Sequence, residues 1–247
     1  MAQRLERMNL DRWVPILNVV AVVMVLISLL VIFFYAPTEV TMGNVQRIFY
    51  FHVGSAWVAA VAFFVALLSG LAYLRSPARI WDTIAVGSVE IGLVFTSMTI
   101  VSGSVWGRPA WNTWWIWSPR LTSITVMWLV YVAYFMLRGA IEDEERRGRF
   151  AAVYVIAGFV TVIITYLSIR LLRDIHPVLL GEASETAEGL QEFSGIDSTK
   201  MVISLNVAVL TFTTLYLAWL ANRIRLQRMV DQAAELKTQV MARLQRQ

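Results

Sequence analysis

Six apolar stretches, at about 13–35, 52–74, 81–105, 121–137, 150–172 and 199–221, leave this chain little freedom of fold. They run as blocks, without the 3.6-residue period that buries one helix face and leaves the other in water. A hydrocarbon core of ~30 Å takes roughly 20 helical residues at ~1.5 Å each, and all six runs are near or above that length. Lipid offers no water to backbone N–H and C=O groups, so a spanning segment bonds them internally as a helix. With 58% hydrophobic and 15% charged residues and a mean hydropathy of +0.62, an ordinary soluble domain is excluded. The expected fold class is an all-α integral membrane protein. It is read as one six-helix membrane domain over 1–247, with a tail at 222–247.

Positive charge orients the bundle. Fifteen of the 21 Lys and Arg fall on one side: Arg4, Arg7, Arg12, Arg75, Arg79, Arg138, Arg146, Arg147, Arg149, Arg223, Arg225, Arg228, Lys237, Arg243 and Arg246. Arg47, Arg108, Arg120, Arg170, Arg173 and Lys200 fall on the other. The positive-inside rule then makes both termini cytoplasmic and turns the connections 36–51, 106–120 and 173–198 outward. In a bacterium this is the inner membrane, with 106–120 on the periplasmic side. The first run is too long for a signal peptide, and Tyr35-Ala36-Pro37-Thr38-Glu39 offers no small-x-small cleavage site. It is expected to remain as a helix.

Absences narrow the chemistry. The sequence has no cysteine, which removes disulfides, thiolate metal sites and thioether attachment of haem. It contains no phosphate-binding Gly-x-x-x-x-Gly-Lys-Ser/Thr, no Gly-x-Ser-x-Gly and no His-Glu-x-x-His. The pI of about 9.6 follows from the charge asymmetry of a membrane protein, so nucleic acid need not be invoked.

Half of the ten tryptophans lie in one outward connection, Trp106-Gly107-Arg108-Pro109-Ala110-Trp111-Asn112-Thr113-Trp114-Trp115-Ile116-Trp117. Tryptophan favours both membrane interfaces, but an aromatic belt spreads its rings over many helix ends. Five rings in one connection suit a platform for a large planar apolar ligand such as haem. As a helix, this short interfacial segment would gather Trp111, Trp114 and Trp115 on one face.

The only histidines, His52 and His176, both fall on that outer side, and His176 precedes Pro177, where a helix tends to end. Two neutral imidazoles across a cleft can serve as axial ligands to haem iron. The competing reading makes them ordinary interfacial residues. Arg108 and Arg120 bracket the tryptophans, and a guanidinium fork suits a haem propionate. Glu90, about nine residues into the third run and so ~13 Å deep, has no basic residue at comparable depth. Proton relay, ion site and helix–helix contact are all open to it. Ser55, Ala56, Ala59 and Ala60 form a small-residue stripe suited to close helix packing. The tail is amphipathic, suited to a partner subunit or an anionic leaflet.

The run from Trp106 through Trp117, followed by Arg120-Leu121-Thr122-Ser123, resembles the tryptophan-rich signature of the haem-handling proteins of cytochrome c biogenesis. Arg47-Ile48-Phe49-Tyr50-Phe51-His52, Ala56-Trp57, Glu90-Ile91-Gly92 and Ser102-Gly103-Ser104-Val105-Trp106 extend the likeness to the haem exporter protein C family over nearly all six spans. Three positions depart from the pattern. Asn112 stands where glycine is usual, Ser118 where the signature's aspartate is usual, and Pro119 follows it.

The resemblance implies delivery of non-covalent, transiently held b-type haem to a membrane-anchored haem chaperone. The expected assembly contains an ABC-type ATP-binding subunit, which hydrolyses the ATP, and further membrane subunits. His52 and His176 carry over as axial ligands, and Trp106, Trp111, Trp114, Trp115 and Trp117 as the haem platform and chaperone-facing surface. The alternative is a b-type cytochrome redox subunit exchanging electrons with quinone. A transporter organised around Glu90 is a third reading, and it leaves the tryptophans unexplained.

Overall fold

The computed structural model describes residues 10–39, 42–171, 196 and 198–245. Six of its helices are long and apolar enough to cross a membrane. They are α1 (Leu10–Leu30), α2 (Arg47–Arg75), α3 (Arg79–Trp111), α4 (Pro119–Gly139), α5 (Glu144–Leu171) and α6 (Thr199–Leu244). A π turn, Val31–Tyr35, ends α1, and a 3-10 turn, Asn44–Gln46, leads into α2.

α2 is the centre of the bundle, packed on α3, α5 and α6, while α1 lies outermost on α6. Large apolar side chains exposed along all six helices are what a lipid-facing surface requires. Inside, Phe63 of α2 stacks on Tyr131 of α4 with ring centroids 3.7 Å apart. Phe95, Met127, Tyr134, Phe212 and Tyr216 join them in one buried cluster. The hydroxyls along α3 find local partners. Thr96, Ser97, Thr99, Ser102 and Ser104 of α3 each donate to the carbonyl four residues back, at 2.6–3.0 Å. Ties between helices are few and specific, including Trp128 Nε1 to Ser97 Oγ at 2.9 Å and Thr211 Oγ1 to the Met24 carbonyl at 3.1 Å.

Two ends are thus defined, one carrying the tryptophan segment and the other the described termini. The termini end is knitted by charge: Arg138 grips Asp82 with two bonds of 2.6 and 2.9 Å, and Arg79 bridges Asp231 and Glu144. Arg225 reaches Asp11 at 2.8 Å, tying α6 to the start of α1.

Glu90 differs from the sequence expectation. Arg223 of α6 donates to both of its carboxylate oxygens, at 2.7 and 3.3 Å. Neither helix stops where its apolar run ends. α3 continues to Trp111, which leaves Glu90 roughly 32 Å from the tryptophan end, and α6 continues past residue 221, which brings Arg223 to roughly 36 Å along its own axis. The two residues therefore meet in the half of the bundle nearer the described termini, and Glu90 has the basic partner that the sequence did not offer at its depth.

Candidate functional site

α3 and α4 are consecutive in the chain, yet they touch only sparsely, because α4 packs chiefly on α5. The space left between them, floored by α2 and closed on one side by α5, is a cleft at the tryptophan end. His52, Ala56 and Ala59 line it from α2; Thr96, Thr99, Gly103 and Trp106 from α3; Arg120, Leu121, Ile124 and Met127 from α4; Thr165 and Tyr166 from α5. The small residues Ala56 and Ala59, at i+4 and i+7 from His52, keep that face of α2 open. The sequence reading assigned them to helix packing; here they also shape the cleft.

His52 lies in the second turn of α2, half-buried, with its ring against Gly103 of α3. A β-carbon at position 103 would stand 2.9 Å from the His52 Cε1, so only glycine lets the two helices hold the ring there. The ring Nδ1 lies 3.1 Å from Ser102 Oγ. Arg120, the second residue of α4, brings its charge to the same space and acts electrostatically on both His52 and Tyr166. Tyr166 donates its hydroxyl proton to the Ala56 carbonyl, joining α5 to α2 across the base. Sequence reasoning missed Tyr166, whose place comes only from the packing of α5 on α2.

The tryptophans divide. Trp106 is buried at 5% exposure, and Trp106, Trp111 and Trp115 line the cleft, whereas Trp114 and Trp117 point outward at 60% and 71%. The segment is not one helix, so the expected stripe of Trp111, Trp114 and Trp115 does not form. α3 runs unbroken through Trp111, whose ring folds back over Gly107 and meets Trp106 edge-on at 5.2 Å. Asn112 then takes the left-handed conformation, φ 55 and ψ 22, and 112–118 is irregular.

That geometry explains two departures from the signature. A left-handed position after a helix favours glycine, with asparagine the next best residue. Arg108 secures the turn by donating to the Asn112 carbonyl at 2.7 Å and to its side-chain oxygen. Ser118 is the N-cap of α4: its Oγ accepts from the Leu121 N–H at 3.4 Å, and Pro119 occupies the first helical turn. Serine and aspartate cap about equally well, so the replacement keeps the local structure.

The free space within the cleft is about 60 Å³, far below the ~300–1,000 Å³ of typical small-molecule sites. A macrocycle does not enter it whole in this conformation. The donor chemistry does fit haem: an imidazole, an apolar aromatic wall and a guanidinium in one space. His176 and Arg173 lie outside the described residues, as does the side chain of Arg170. No group of three or more His, Cys, Asp or Glu able to hold a bare metal ion occurs among the described residues.

Comparison with known proteins brings in the rest of the chain. The family model described as heme exporter protein C matches residues 2–239. The heme exporter protein C of Bradyrhizobium diazoefficiens is 31% identical over 192 residues, covering 76% of this chain and 70% of that protein. That of Escherichia coli is 34% identical over 168 residues, covering 66% and 67%. A putative cytochrome c biosynthesis ccmC-like mitochondrial protein of Marchantia polymorpha is 28% identical over 141 residues, covering 57% and 59%.

Proposed function

The chain belongs to the heme exporter protein C family, and from that membership and the geometry of the cleft we propose that it holds haem at the outer face of the membrane and delivers it to a haem chaperone during cytochrome c assembly. The observation that carries the reading is the convergence of His52, Arg120 and three tryptophans, from three helices and the irregular 112–118 segment, on one cleft. Each residue type answers one part of the cargo. The His52 imidazole supplies a nitrogen ligand to the iron, with His176 as the second axial ligand. Trp106, Trp111 and Trp115 supply the flat apolar wall, and Arg120 the counter-charge for a propionate, with Arg108 as a second at the rim.

Trp114 and Trp117, turned outward, are the surface for the chaperone, since exposed indoles beside a site are typical partner anchors. With no cysteine in the chain, haem is held without thioethers, as b-type haem. Such attachment suits cargo that must leave. The protein works as a membrane subunit of a haem export complex in the bacterial inner membrane. ATP is hydrolysed by an ABC-type subunit, with further membrane subunits as neighbours. Its Trp-rich end faces the periplasm and its termini the cytoplasm, as the arginines in 138–149 and 223–243 demand under the positive-inside rule.

The test is the oxidised and reduced absorption spectrum of detergent-purified protein for wild type, His52→Ala, His176→Ala and the double variant. A haem spectrum altered by each single change and lost in the double supports the reading. Wild-type protein that takes up no haem, or histidine variants with an unaltered spectrum, would overturn it.

A further inference from the structure

Ser102 and Gly103 stand directly behind His52, and their arrangement decides which ring nitrogen carries the proton. A serine hydroxyl has one hydrogen to give. The Ser102 hydroxyl gives it to the Met98 carbonyl, 2.6 Å away on its own helix, the shortest of its contacts. Its alternative carbonyl, that of Thr99, is farther, at 3.3 Å. Toward the His52 Nδ1, 3.1 Å away, the oxygen therefore serves as an acceptor; the ring also hydrogen-bonds to the Thr99 backbone, whose carbonyl can only accept, and Nδ1, the ring nitrogen nearer α3, is assigned the hydrogen. A neutral imidazole protonated at Nδ1 has its lone pair on Nε2, the nitrogen on the other side of the ring. Gly103 completes the arrangement, since a methyl group in its place would press on the His52 Cε1 from 2.9 Å and swing the ring away from Ser102.

We propose that Ser102 is a positioning residue for haem ligation: together with the Thr99 backbone it holds the Nδ1–H tautomer and the ring plane of His52 and thereby presents Nε2 to the iron, with Gly103 providing the space that this contact needs. The proposal rests on the reading of His52 as an axial ligand. A hydrogen bond from the remote N–H of a ligating histidine raises the donor strength of the other nitrogen, and loss of such partners typically weakens metal binding by about 10–100-fold. Ser102 is a neutral acceptor, so its effect belongs near the lower bound. A stronger imidazole donor favours ferric over ferrous iron. Removing the acceptor raises the midpoint potential by about 59 mV for each tenfold of affinity lost selectively from the ferric form.

The experiment titrates haem into the purified full-length protein and measures affinity, absorption spectrum and midpoint potential for wild type, Ser102→Ala, Ser102→Thr, Gly103→Ala and His52→Ala. Ser102→Ala keeps a good helix former in α3, and an unchanged gel-filtration profile verifies that the variant is folded. The expected result is about a tenfold loss of affinity and a raised potential in Ser102→Ala. Ser102→Thr, which retains the hydroxyl, is expected near wild type, and Gly103→Ala to shift in the same direction as Ser102→Ala with the hydroxyl intact. If His52→Ala changes the spectrum while Ser102→Ala matches wild type in affinity and potential, the positioning role is wrong and the ligand stands. A threonine variant shifted as far as the alanine one would equally remove the hydroxyl from the explanation. If His52→Ala itself leaves spectrum and potential unchanged, the ligand reading has failed, and this proposal with it.

Discussion

Ser118 shows how one side chain can depart from a family signature without disturbing its geometry. The oxygen at this position closes the first turn of α4, and α4 carries Arg120 into the cleft two residues later. A change of cap therefore acts on Arg120 through the start of its helix. Ser118→Ala removes the acceptor for the Leu121 N–H and is expected to destabilise the protein by about 1 kcal/mol. Ser118→Asp, which restores the residue usual in the signature, is expected within a few tenths of a kcal/mol of wild type. Thermal unfolding in detergent, followed by tryptophan fluorescence, separates the two. An aspartate variant that binds haem far more tightly than wild type at equal stability would mean that the carboxylate has a role of its own beyond capping. Asn112 departs in the same way: its φ of 55 is a conformation that suits the glycine usual at that position, and asparagine tolerates it.

At the scale of helices, the Glu90–Arg223 pair links α3, which carries the tryptophans, to α6, which continues beyond the bundle. Losing one partner strands the other charge, whereas losing both strands neither. Glu90→Gln and Arg223→Gln are each expected to destabilise more than half as much as the double variant, with a coupling of about 0.5–3 kcal/mol in a double-mutant cycle. Haem spectra should be unchanged in all three, because Glu90 stands about 9 Å along α3 below Thr96, the deepest residue that helix gives the cleft, and about 18 Å below Ser102 beside His52. A Glu90→Gln protein that is stable but inactive, beside active histidine variants, would favour the transporter reading instead. Glu90 also marks a limit of sequence reading. Its partner is 133 residues away, and depth counted from the edge of an apolar run fails when the helix outlasts the run. The Trp106–Trp111 stretch was misread for the same reason, since it continues α3 where a separate interfacial piece was expected.

For the molecule as a whole, what lipid dictates was legible and what packing decides was not. Bilayer thickness sets a length that any spanning segment must meet, so six runs in the sequence became six helices with ends shifted by a few residues at most positions. No periodicity announced that α2 would be the centre, or that α3 and α4 would stand apart and leave a cleft beside His52. The histidine and the tryptophans were visible as residue types; Ser102, Gly103 and Tyr166 gained meaning only from their neighbours. Orientation has its own test, made simple by a chain without cysteine. α6, at 46 residues, is about 69 Å long, more than twice the ~30 Å hydrocarbon core, so a large part of it must leave the lipid at the termini end. Trp117, exposed at the opposite end, and Gln239, exposed on that extension, are therefore expected on opposite sides of the membrane. Trp117→Cys and Gln239→Cys each create a single thiol. In right-side-out spheroplasts a membrane-impermeant maleimide is expected to label the first fully, and the second only after permeabilisation. The reverse pattern would put the cleft in the cytoplasm, and delivery of haem to an outer chaperone from this site would then be physically impossible without a further carrier.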